Sequence, residues 1–114
     1  MHPPEQALAT KLLEIEAEMK RIRFWSPGPE PTPDPSQLYA GLPSFEQWLQ
    51  FVFLPGIRGA LSTGCWDGVP RYRVGVAALR NYDYHAVVPG AAGLMRLCFE
   101  LEQLLDPNLG ASPA

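Results

Sequence analysis

Cys65, His85 and Cys98 are the residue types in this chain that bind zinc or pair as nucleophile and base. A structural zinc site needs four ligands, and an activated nucleophile needs a base within hydrogen-bond reach and a third group to orient it. These residues are scattered, form no paired cysteine knuckle, and have no evident fourth ligand or orienting partner. The expectation is therefore no catalytic residue, no metal and no cofactor. Cys98 falls on an apolar helical stripe, where a thiol packs as a small core residue. Cys65 falls in a loop, and exposure alone does not make a thiol reactive.

A denser group runs through Trp66, Asp67, Arg71, Tyr72, Arg73, Arg80, Asn81, Tyr82 and Asp83. Guanidinium groups interleaved with aromatic rings suit anionic or planar ligands and protein contacts alike. Trp66, Arg71, Tyr72, Arg73, Arg80 and Asp83 are accordingly the candidate binding residues. The competing explanation is that they cap helices and lace a short segment onto the body, with Arg80 paired to a nearby acid. Trp48, Phe51 and Phe53 could line a pocket, although aromatic residues at helical spacing usually fill a core. Gln50 lies among them, and if it faces inward it must find partners, since an unpaired buried amide would signal a missing ligand.

The elements that hold these residues are helical. Leu8, Leu12, Ile15, Met19 and Ile22 alternate steps of four and three, predicting a first helix between Glu5 and Trp25. Lys20, Arg21 and Arg23 at its end complement the helix dipole and need no ligand to explain them. Prolines at 27, 29, 31, 33 and 35 favour an extended connection, residues 26–43, that crosses between helices. Docking of this segment into an aromatic groove is the more pointed alternative.

Ser44 with Gln47 forms a capping-box pattern that opens a second helix reaching about Thr63. Phe45, Trp48, Leu49 and Val52 form its main buried stripe, while Phe51, Phe53 and Leu54 carry apolar surface around the cylinder, so this helix must be central. Pro55 cannot donate to the carbonyl of Phe51, which predicts a kink or break there. The segment around Tyr72, Val74 and Val76 could be a strand or a helix. A lone strand would lack partners, so a short helix over about 71–80, with a turn at 81–83, is expected. Leu94, Leu97, Cys98, Leu101, Leu104 and Leu105 define a last helix after Pro89, with Arg96, Glu100, Glu102 and Gln103 on other faces. Residues 107–114 read as a small-residue tail.

The expected fold class is therefore all-α, a four-helix up-and-down bundle with a short third helix, in one domain over residues 1–106. The 114 residues fit a single core, and 46% hydrophobic with 18% charged residues is ordinary globular composition. The predicted core comprises Leu12, Ile15, Met19, Phe45, Trp48, Leu49, Val52, Leu94, Leu97 and Leu101. A net charge of −3 disfavours nucleic acid except at a local basic patch. The absence of a signal-like start or a long apolar run suggests a cytoplasmic protein with no membrane partner.

The stretch Phe45-Glu46-Gln47-Trp48-Leu49-Gln50, ending at Pro55, with Trp25 upstream and a proline-containing loop between, resembles the YqcC-like family of small bacterial helical proteins. The resemblance covers roughly residues 8–62. Downstream the chain departs from it, with Arg73-Val74-Gly75-Val76-Ala77-Ala78-Leu79 in place of an Ile-Ala-Pro-like helix start. The resemblance implies a four-helix bundle and little chemistry. Some members carry a label linking them to a tRNA pseudouridine synthase, which needs a much larger domain with a dedicated aspartate, so an accessory role is what it suggests here. The expected function is a noncatalytic module that binds a protein partner. An accessory factor for RNA modification, with RNA as partner, or a small-molecule binder are the alternatives.

Overall fold

The computed structural model of the chain describes residues 5–27, 42, 44–66, 73–84, 88 and 90–105. Helix α1, Glu5–Arg21, buries Leu8, Leu12, Ile15 and Met19. It stops before Trp25 because Arg23 turns left-handed at φ 66°. The reversal lets the Phe24 N–H donate to the carbonyl of Met19 at 2.7 Å and the Arg23 N–H donate to Lys20 at 3.2 Å, satisfying carbonyls that the helix end leaves open.

Helix α2 opens at Phe45–Trp48, passes through a π turn at Leu49–Phe53 and continues as Leu54–Thr63. The Ser44 hydroxyl caps it by accepting from the Gln47 N–H at 3.2 Å. Among the described residues the Gln47 side chain makes no return bond, so only the serine half of the expected box forms. The helix does not break at Pro55, which sits exposed in the first turn of its second part. The irregularity comes just before, where the Leu54 N–H donates to Leu49 in the wide π pattern. A π turn takes up one extra residue. The buried face consequently moves along by one, from Leu49 to Phe53, Leu54 and Ile57. Val52, expected in the main stripe, is half-buried against the edge of the core.

The short helix α3, Val74–Leu79, runs into a second π turn at Arg80–Tyr84. The turn expected at 81–83 is thus a widened helical turn, and residues 71 and 72 of the expected helix lie outside the described residues. Gly75 allows α3 to lie against the last helix, α4, Ala92–Leu105, because a Cβ at Gly75 would come within 2.7 Å of the Cα of Phe99. Gly90, at φ 87°, turns the chain into α4, while Pro89 and the tail from 106 lie outside the described residues.

Helix α4 packs against both α1 and α3, and α1 also touches the second half of α2. Leu94, Leu97, Cys98 and Leu101 of α4 join Phe45, Trp48, Leu49 and Phe53 of α2 and the stripe of α1 in one core. Trp48 stacks on Phe53 with ring centroids 4.9 Å apart, and Phe51 is half-buried against the core. The architecture is an all-α four-helix bundle, and no strand occurs among the described residues. Among them no helix is long and apolar enough to cross a membrane.

Candidate functional site

The candidate surface begins at the N-terminal end of α3. Arg73 is exposed, yet its guanidinium lies 3.3 Å from the carboxylate of Glu102. Glu102, expected off the leucine stripe of α4, is 5% exposed and accepts the Gly75 N–H at 3.1 Å. It therefore caps α3 from a neighbouring helix, satisfying an otherwise open backbone donor, and Arg73 offsets its charge. Arg73 is partly committed to the bundle for that reason.

At the other end of α3 the chain turns outward. Leu79 is 37% exposed, and Arg80 and Asp83 are exposed beside it in the π turn. Among the described residues neither charge forms an ion pair, so the expected pairing of Arg80 with an acid is not seen there. Trp66 is half-buried against the core. Asp67, Arg71, Tyr72 and His85 lie outside the described residues. The structure thus groups Leu79, Arg80 and Asp83 at one rim, with Arg73 at the opposite end of the same short helix.

The inward side of the π turn builds something else. Tyr82 is 4% exposed, and its hydroxyl donates to Glu46 in the first turn of α2 at 2.7 Å. Its ring lies 5.5 Å from that of Phe24 and 5.8 Å from that of Phe45. Asn81 donates to the carbonyl of Ala77 at 2.8 Å. Phe24, Ser44, Phe45, Glu46, Asn81, Tyr82 and Val88 enclose an open cleft of about 340 Å³. Sequence reasoning had no signal for Glu46 or Phe24 here, because the cleft joins the end of α1, the start of α2 and the π turn after α3.

Gln50 is buried and fully engaged: its Oε1 accepts from the Ser26 N–H at 2.7 Å, and its Nε2 donates to the Ser26 carbonyl at 2.9 Å. No orphaned amide marks a missing ligand. Cys98 is buried, and burial, with the Glu102 carboxylate second, pushes its thiol up to about 12. Cys65 is exposed, and the two cysteines are free. Among the described residues no cluster of three or more His, Cys, Asp or Glu side chains could hold a metal ion.

Ion pairs position the helices around these features. Glu16 of α1 receives Lys20 at 2.8 Å and Arg58 of α2 at 2.7 Å, and hydrogen bonding from Lys20, with Arg58 adding to it, holds its carboxyl below the usual range. Lys11 of α1 meets Glu100 of α4 at 2.6 Å. That contact lowers the carboxyl of Glu100 and raises the ammonium of Lys11, which Glu14 also supports.

The comparisons with known proteins bear on this arrangement as a family relationship and not as chemistry. No curated protein matches the chain, and no solved structure does. A family profile described as tRNA pseudouridine synthase C matches residues 7–104, from early in α1 to the last turn of α4. The match takes in α3 and α4, where the YqcC-like resemblance had run out, and that name stays a resemblance. A description of this kind attached to a domain of unknown function assigns no catalytic residue. The chain belongs to the small domain-of-unknown-function family that carries the description tRNA pseudouridine synthase C.

Proposed function

We propose that this protein is a noncatalytic module that binds another macromolecule, with a protein as partner, through the rim at the end of α3. The observation that carries the reading is the exposed leucine Leu79 beside two exposed and opposite charges, Arg80 and Asp83, on a turn anchored from beneath by Tyr82. An apolar anchor ringed by charges suits a specific protein contact, because the apolar group supplies affinity and the charges orient the partner. Rigid anchoring of the turn lowers the ordering cost of binding. Trp66, Arg71, Tyr72 and Arg73 extend the proposed surface along the chain. The test is parallel affinity capture with the natural protein and a Leu79→Asp, Arg80→Glu variant of unchanged fold. A defined partner retained by the first and lost by the second supports the rim; equal retention overturns it.

A second reading, an accessory factor in tRNA modification, is favoured by the description attached to the family. Arg73, Arg80 and Arg71 would then contact phosphates, and binding of tRNA would fall steeply with added salt as counterions are released. The net charge of −3 and the pairing of Arg73 with Glu102 weigh against it. Failure of the protein to retain tRNA at low ionic strength would remove this reading.

A further inference from the structure

The cleft beneath the rim has a chemistry of its own. Its polar focus is Glu46, half-buried, whose carboxylate accepts the Tyr82 hydroxyl and forms no ion pair among the described residues. The other acidic groups packed between helices behave differently: Glu16, Glu18, Glu100 and Glu102 each meet a lysine or an arginine within 3.3 Å. Glu46 lines the cleft and forms no ion pair among the described residues. Its place in the first turn of α2 sets the anion near the positive end of the helix dipole, which supports the charge without neutralising it.

The walls suit a cation as well. Phe24, Phe45 and Tyr82 line the same cleft as Glu46, with Phe24 the least buried of the three. The faces of aromatic rings attract alkylammonium and guanidinium groups, and they do so more strongly where water is partly excluded. A carboxylate offers such a group a charge-assisted hydrogen bond, bidentate for a guanidinium. An anion would meet the carboxylate of Glu46, so the cleft selects against it.

We infer that the Glu46–Tyr82 cleft is a binding site for an organic cation, with an alkylammonium or guanidinium head seated on Glu46 and against the ring of Phe24. This inference does not depend on the rim: the cleft can hold a cationic head whether or not Leu79 and Arg80 contact a partner. The cation could come from a free amine or from a basic side chain of another protein, and the two sources share this chemistry.

The test is titration of the whole isotope-labelled protein, followed by amide chemical shifts at constant ionic strength. Methylguanidinium represents the free cation, N-acetylarginine methylamide represents a protein side chain, and N-acetylcitrulline methylamide is the neutral control. Saturable shifts centred on Phe24, Glu46 and Tyr82 are expected with both cations and not with the citrulline compound. Tighter binding of the arginine compound identifies a side chain as the source, and equal binding identifies a free cation. Glu46→Gln, which keeps the shape and an acceptor for Tyr82, should weaken the arginine compound by about tenfold through loss of the charge-assisted bond. Non-saturating shifts, equal response to citrulline, or undiminished binding by the variant would each overturn the inference. The citrulline comparison stands even if the variant is poorly folded.

Discussion

Gln50, inside the π turn of α2, grips the backbone of Ser26 with two hydrogen bonds, accepting at 2.7 Å and donating at 2.9 Å. The contact ties the chain leaving α1 to the middle of α2, twenty-four positions on. Replacing Gln50 with Leu keeps the volume but leaves a part-buried N–H and C=O of Ser26 without these partners. The cost should be about 1–3 kcal/mol, the usual penalty for stranding buried polar groups. Urea denaturation of Gln50→Leu should show a lower midpoint with an unchanged slope.

Gly75 and Gly59 should respond in opposite directions to alanine. A Cβ at Gly75 would collide with Phe99, including its backbone, whereas nothing lies within 4 Å of one at Gly59. Gly75→Ala should destabilise by roughly 1–3 kcal/mol as α3 is forced off α4. Gly59→Ala should stabilise by about 0.5–1 kcal/mol, since the exposed helical glycine costs backbone entropy for no packing in return. Thermal melts of the two variants beside the natural protein separate these outcomes.

Arg23 adopts a left-handed conformation at φ 66°, where a side chain clashes with its own backbone. Arg23→Gly relieves that strain, worth about 1–2 kcal/mol, against the greater freedom glycine gives the unfolded chain, about 0.5–1 kcal/mol. A net rise in melting temperature is expected, and a fall would show that the arginine side chain contributes more than its backbone costs.

The two thiols should separate cleanly by reactivity. Cys65 is exposed, while Cys98 is buried with its thiol pushed up to about 12. A thiol-specific disulfide reagent at neutral pH should modify Cys65 quickly and Cys98 only after denaturation. Rapid double labelling of the native protein would contradict the packing of α4.

Stability should fall in acid. Glu16, Glu18 and Glu100 have carboxyl groups lowered below their ordinary value of 4.5 by hydrogen bonds from Lys20, Arg21 and Lys11 respectively. Depressed folded-state values stabilise the fold above 4.5, and this contribution disappears as pH drops through the lowered values. The ammonium of Lys11 is raised above 10.5 by Glu100, so its contribution persists through neutral pH and is lost only above that value. Melting temperature against pH should therefore decline below 4.5, with a shallower decline in Lys11→Met.

Much of this bundle is legible in the spacing of its leucines. The pattern Leu8, Leu12, Ile15, Met19 needs only local periodicity, and Leu94 to Leu101 likewise, because packed helices bury one stripe. The π turns leave no such mark: their extra residue shifts the stripe at Val52 and converts the expected turn at Asn81–Asp83 into a helical one. The burial of Glu102 left no mark in the leucine spacing because its cause, the N–H of Gly75, lies on another helix. The cleft was invisible for the same reason, since Phe24, Glu46 and Tyr82 meet only in the folded chain. The arginines were visible, but which of them is committed to the bundle depends on Glu102.

If the outward side of the turn after α3, at Leu79 and Arg80, is the proposed binding edge while Tyr82 anchors its inner side, the Leu79→Asp, Arg80→Glu variant should separate binding from stability in one combined melting and capture experiment. The variant should melt close to the natural protein and lose a partner that the natural protein retains. A marked fall in melting temperature, or a partner held equally by both forms, would contradict it.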